Sequence, residues 1–200
     1  MIGSITYLHV RARSASSTTG RLTIGPTTVT CRLGRSGRAY RKREGDGASP
    51  IGVWQLEQVY YRDGRLPRPR TGLAVRASRK TDAWCEDPVD GRYNRKITVQ
   101  PGEGNENFWR ADGAYDVVIP TRHNSRPRVK GGGSAIFFHL TRAGSTVTAG
   151  CIAIARRDME KILARCGPVT FLVIWPPEGG PPGALRRSPS PPARRSLPRQ

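Results

Sequence analysis

No stretch of the sequence approaches the roughly 18 consecutive apolar residues that a membrane-crossing helix needs. Residues 1–10 lack a charged start, an apolar centre and a small-residue cleavage site, so they do not read as an export signal. Taken alone, that points to the cytoplasm. The four cysteines, Cys31, Cys85, Cys151 and Cys166, include no Cys-x-x-Cys pair, so neither a zinc site nor another metal or cofactor is expected. Free thiols are the default, although any two could pair in an oxidising compartment. Acidic residues are also scarce: 15 Asp and Glu face 34 Lys and Arg, a formal charge of +19. Such a field suits polyanions such as nucleic acid, acidic headgroups or an anionic wall polymer. The arginines are scattered, which fits an Arg-rich composition equally well. No zinc spacing, RNP-like run or base-reading helix is present, so no specific nucleic-acid partner is expected. A basic nucleic-acid-binding module stays a distant alternative.

What is abundant is Gly (23) and Pro (17), against an apolar fraction of only 36%. That balance predicts a loop-rich, strand-biased domain with a modest core. Strands are expected over 5–10, 21–24, 28–33, 50–61, 115–120, 134–140 and 169–175, from β-branched runs and alternation bounded by turn signals. Residues 63–113 show little periodicity, and a stretch that long reads as a lid or binding loop. One helix is expected over 154–165, with Ile154, Met159, Ile162 and Leu163 on one stripe and Gly167-Pro168 as its stop. The expected architecture is mostly β with one main helix, a sandwich or barrel-like domain. It divides into an N-terminal segment (1–19), a catalytic domain (20–175) and a disordered Pro- and Arg-rich tail (176–200).

Two residues carry candidate chemistry. His139 ends the most apolar strand, and Cys151 follows twelve residues later, just before the expected helix. A thiol at a helix N-terminus should have a lowered pKa. Gly150 lets a carbonyl approach the backbone, whose N–H groups there can hold an oxyanion. His139 can take the thiol proton and return it to a leaving amine. His9 and His123 are rival bases. Cys166 is a rival nucleophile, but it closes the helix, where the dipole opposes a thiolate.

His139, the Thr148-x-Gly150-Cys151 run and the following helix resemble the catalytic motif of the L,D-transpeptidase (YkuD-like) family, compact branch. The resemblance extends over about 20–175. It includes Lys42-Arg43-Glu44-Gly45-Asp46-Gly47-Ala48-Ser49-Pro50-Ile51-Gly52, Arg68-Pro69-Arg70-Thr71-Gly72-Leu73 and Trp84-Cys85 with Asp87-Pro88. It continues through Tyr93-Asn94, Tyr115-Asp116-Val117-Val118, His123-Asn124 and Gly133-Ser134-Ala135-Ile136-Phe137. It implies a β-sandwich-like domain, no metal, and a ping-pong acyl transfer on peptidoglycan stem peptides through a thioester on Cys151. It also implies a carbapenem adduct at that thiol and a site of action in the periplasm or cell envelope, against the missing export signal.

Two positions depart from the commonest family pattern: Ala149 stands where many members have His, and Ala153 where many have Arg. Substrate placement must then come from elsewhere. Thr148, His123, Asn124, Arg142, Arg156 and Arg157 are the candidate substrate-binding residues, the arginines as bidentate carboxylate partners. Solvated surface arginine is the competing reading for each. Gly45-Asp46-Gly47 reads as a turn near the substrate, and Trp84 and Trp109 as sugar-stacking, lid or core residues. Three alternatives stay open: an L,D-carboxypeptidase or related hydrolase on the same polymer, a non-catalytic cell-wall-binding domain, and the basic nucleic-acid module.

Overall fold

The computed structural model describes residues 5–100 and 105–177. Among the described residues, fifteen strands and one helix follow in order. The first half holds β1 (Ile5–Arg11), β2 (Thr19–Ile24), β3 (Thr27–Arg32), β4 (Arg38–Ala39), β5 (Ser49–Pro50), β6 (Gly52–Gln55), β7 (Val59–Tyr61) and β8 (Val75–Ala77). The second half holds β9 (Asp82–Trp84), β10 (Lys96–Thr98), β11 (Glu106–Asn107), β12 (Val117–Pro120), β13 (Phe137–Leu140), β14 (Ile152–Ile154), α1 (Arg156–Leu163) and β15 (Val169–Ile174).

Ten strands form one large sheet, ordered β6-β15-β1-β2-β3-β14-β13-β12-β7-β8. The mostly β architecture with a single helix is therefore as expected. β1 lies within this sheet, between β15 and β2, so the sheet extends N-terminal of residue 20. Alternation divides its two faces. Leu8, Val10, Leu22, Val117, Ile119, Phe138, Leu140, Ile152 and Ile154 turn one way into the main core, where Met159, Ile162 and Leu163 of α1 cover them. Tyr60, Val118, Phe137 and Cys151 turn the other way. That second face is covered by Trp84 and Phe108 from the 63–113 region.

The 63–113 region is less irregular than its sequence suggests. It contributes β8 to the large sheet and forms a separate three-stranded sheet, β10-β9-β11. Asp82 ties that small sheet together: it pairs with Arg76 and Lys96 and accepts from the Arg79 N–H. Strands of two and three residues carry too little periodicity to be read from sequence.

The helix begins at Arg156, not at 154. Ile152–Ile154 is fully buried and runs parallel to β13, with Ile154 opposite Leu140. A buried apolar triplet that also suits a helical stripe was decided by this non-local pairing. Ala155 is extended, and α1 starts only beyond it. Cys151 therefore precedes a strand, and the helix-dipole argument for its thiolate does not apply. Most of the tail expected over 176–200 lies outside the described residues, which end at 177.

Candidate active site

β13 and β14 set the geometry. They run parallel with His139 opposite Ala153. Cys151 lies two residues before Ala153, so its side chain shares a face with His139 across one diagonal. Strand spacing and rise put such diagonal Cα positions about 8 Å apart, near enough for the two side chains to meet. Both line one cavity of about 370 Å³, together with Tyr115, Arg110, Arg142 and Thr148.

Cys151 is 7% exposed. It donates to the Ala135 carbonyl at 3.1 Å and accepts from the Phe137 N–H at 3.3 Å. Burial pushes its pKa up to about 12, with the Phe137 amide pulling the other way. The thiolate expected from the sequence is thus replaced by a neutral thiol. Burial does the same to Cys31 and Cys166, so acidity does not set Cys151 apart. Position does: Cys31 and Cys166 belong to the main core, Cys85 to the small-sheet cluster, and Cys151 opens on the cavity.

His139 donates from Nδ1 to the Leu140 carbonyl at 2.8 Å, which leaves the lone pair on Nε2. The Tyr115 ring meets the imidazole edge-on at 5.1 Å. Burial lowers its pKa to about 4. On these shifts the thiol and the imidazole that line the cavity both rest neutral near pH 7. Of the rival bases, His9 accepts from Trp175 Nε1 at 3.1 Å on β1. His123 packs edge-on against Trp54 at 4.7 Å and bonds the Gly132 carbonyl through Nε2 at 3.2 Å.

Thr148 and Gly150 shape the approach to the thiol. The Thr148 hydroxyl donates to the Cys151 carbonyl at 2.7 Å and accepts from the Gly150 N–H at 3.1 Å. Thr148 thereby clamps the turn that presents the thiol, and the Gly150 N–H is already engaged. Gly150 has φ +139°, and a Cβ there would lie 2.9 Å from the Ala48 carbonyl oxygen. The 45–47 turn supports this region: Asp46 pairs with Lys42 and accepts the N–H groups of Arg43 and Ala48 at 2.8 Å each.

The remaining sequence candidates are spread over separate places. Arg142 lines the Cys151 cavity and pairs with Asp112 at 3.5 Å. Arg157 lines a second hollow of about 450 Å³ that shares Arg32, Thr141, Arg142 and Ser145 with the first. His123 and Asn124 line another cavity, beside Tyr40, Lys42 and Trp54. Asn124 there clamps its own loop, bonding Val129 and Gly133. Arg156 binds the buried carboxylate of Asp116 at 2.9 Å, in company with Arg62 and Arg65. Trp84 packs behind Cys151, and Trp109 lies under the Arg62 guanidinium at 4.2 Å.

Sequence reading missed Arg32, Glu106 and Arg110. Arg32 sits on β3 directly opposite Ala153, so His139, Ala153 and Arg32 form one row across three strands. Arg110 binds Glu106 at 2.9 Å and Asp112 at 2.7 Å and lies over the Tyr115 ring. Arg110-x-Asp112 was a visible charge pair, but nothing local tied it to the cysteine. Ala149 and Ala153, the two departures from the family pattern, both line the Cys151 cavity, and their methyl groups leave it open.

A thiol and an imidazole on one face of a β-sheet, opening together on an arginine-rimmed cavity, are the nucleophile and base types that cysteine acyl transfer uses. The chain belongs to the L,D-transpeptidase catalytic-domain family, whose model matches residues 12–174. The activity of that family is L,D-transpeptidation on peptidoglycan peptides. No curated protein matches the sequence.

Proposed function

We propose that this protein transfers an acyl group between peptidoglycan stem peptides through a thioester on Cys151, with His139 as the proton shuttle. The observation that carries this reading is the shared face of the two side chains within one open cavity. Because both groups rest neutral, attack and proton transfer are coupled. The S–H turns from the Ala135 carbonyl to His139 Nε2 as sulfur bonds the donor carbonyl carbon. The imidazolium then protonates the departing D-amino acid amine, and the C–N bond breaks. In the second half, an acceptor amine attacks the thioester, His139 takes its proton, and the sulfur leaves and recovers that proton. Water in place of the amine gives hydrolysis. Arg32 at the cavity rim, which forms no ion pair among the described residues, is suited to a stem carboxylate. This chemistry belongs in the cell envelope, where stem peptides are.

Intact-mass analysis after mixing the protein with a tetrapeptide stem or a carbapenem tests the proposal. A covalent adduct mapped to Cys151, absent from Cys151→Ala, is the expected result. Adduct on another residue, or none, would overturn it. Product analysis then separates cross-linked dimers from tripeptides.

A further inference from the structure

Three residues other than glycine hold a left-handed backbone among the described residues: Asn94 (φ 52°), Asn124 (φ 49°) and Ala135 (φ 50°). Asparagine tolerates that region, whereas alanine enters it under strain. All three meet at one side chain. Asn94 is 4% exposed. Its Oδ1 accepts from Trp84 Nε1 at 2.8 Å and from the Ala135 N–H at 3.2 Å. Its Nδ2 donates to the carbonyls of His123 at 3.0 Å and Asn124 at 2.9 Å. Both amide hydrogens are used, and the oxygen accepts twice.

The strained residue is the one that holds the thiol. The Ala135 carbonyl takes the Cys151 S–H at 3.1 Å, and Phe137, two residues on, gives its N–H to the same sulfur at 3.3 Å. Trp84, the donor on the far side of Asn94, packs edge-on against Phe137 at 5.4 Å. Sulfur, Ala135, Asn94 and Trp84 thus form one connected chain running from the cavity into the small sheet.

We infer that Asn94 is a positioning residue for the Cys151 nucleophile, acting by holding Ala135 in its left-handed turn so that the Ala135 carbonyl orients the thiol. The inference rests on Cys151 being the reactive group. It does not make Asn94 touch substrate. Held this way, the thiol keeps its proton on sulfur and donates it to the Ala135 carbonyl, which favours the neutral form, and the sulfur keeps a fixed bearing on the cavity. Losing that hold should release the proton more easily and misdirect the attack.

The test uses the full chain and two readouts. In Asn94→Gly, which keeps the left-handed conformation free, stem-peptide acylation should slow on the order of tenfold with KM unchanged, as expected for a misaligned nucleophile. Iodoacetamide labelling of Cys151 at a fixed pH of about 8.5 should run on the order of tenfold faster, because losing a hydrogen bond that favoured the neutral thiol raises the thiolate fraction. Adding Ala135→Gly should bring both readouts most of the way back, since glycine enters the left-handed region freely. A residue that merely glues the small sheet in place would not be rescued by a change at Ala135. Normal acylation and labelling rates in Asn94→Gly, or changes that Ala135→Gly leaves untouched, would overturn the inference. Should the glycine variant not fold, Trp84→Phe carries the same test: it removes one anchor of the Asn94 amide and keeps the ring against Phe137. It should give smaller changes in the same two readouts, again recovered by Ala135→Gly. The labelling arm needs no stem peptide. It therefore reports on positioning even if the assigned substrate is wrong, and failure of wild-type acylation with intact labelling would count against the proposed function alone.

Discussion

Arg32 and His139 flank the same small residue, Ala153, from neighbouring strands, so a guanidinium and an imidazole face one cavity in a single cross-strand row. Arg32 donates to Thr19 Oγ1 at 2.8 Å and forms no ion pair among the described residues. Among the described residues Arg32 and Arg35 line this rim without a carboxylate partner, whereas Arg110 and Arg142 pair with Asp112, which makes Arg32, in the His139 row, the side chain to test for a substrate carboxylate.

Arg32→Ala should therefore raise KM for a stem peptide with free carboxylates by about tenfold, the worth of one charge-assisted hydrogen bond of roughly 1.5–3 kcal/mol discounted for solvent. The effect on an amidated stem should be within about twofold. Steady-state kinetics on the two substrates check this, and an equal loss on both would assign Arg32 a structural role.

The thiol's protonation makes a second expectation. Burial holds Cys151 near a pKa of about 12, so iodoacetamide labelling should keep rising with pH beyond 9 and show no plateau near neutrality. Cys151 should still label ahead of Cys31, Cys85 and Cys166, because it opens on the cavity and they do not line it. Peptide mapping across a pH series reads both points, and a midpoint near 7 would restore the picture of an activated thiolate.

How far the sequence foretold this site depends on whether the evidence was local. That Cys151 and His139 would lie together was legible because a strand-ending histidine and a Gly-Cys turn are close in sequence, and both line one cavity. The mostly β fold was legible from β-branched runs such as Thr28-Val29-Thr30. The helix start was not, because Ile152-Ala153-Ile154 suits either a stripe or a strand until β3 and β13 claim it. Arg32 was hidden for the same reason: its nearness to His139 exists only through the β3-β14-β13 order. Asn94 carries no local signal of its place, since its four partners come from three separate parts of the chain.

Burial of His139 has a stability consequence. Unfolded, the imidazole binds its proton near pH 6.5; folded, only near pH 4. Between those values the unfolded chain holds the additional proton, so stability is lost as pH falls through that window. The full shift corresponds to about 3 kcal/mol. His139→Gln should remove that part of the acid sensitivity, and urea unfolding of both proteins at pH 7 and pH 4.5 measures it. Parallel pH dependence in the two would mean that the imidazole is solvated enough to titrate normally.

Gly150 offers the sharpest steric test. Its φ of +139° is a conformation that side chains rarely adopt, and a methyl group would come within 2.9 Å of the Ala48 carbonyl oxygen. That carbonyl belongs to the loop that Asp46 fixes by accepting the Arg43 and Ala48 N–H groups, so it has little room to retreat. Gly150→Ala must then move the turn, and with it the Thr148 hydroxyl that joins the Gly150 N–H to the Cys151 carbonyl. The expected cost is about 1–3 kcal/mol of stability, together with loss of most adduct formation on Cys151. Thr148→Val should reproduce the loss of adduct with less destabilisation, because it removes the clamp without the clash. Thermal melts paired with adduct mass spectra decide between them, and a Gly150→Ala protein that melts and acylates normally would show that the turn is not what holds the sulfur in place.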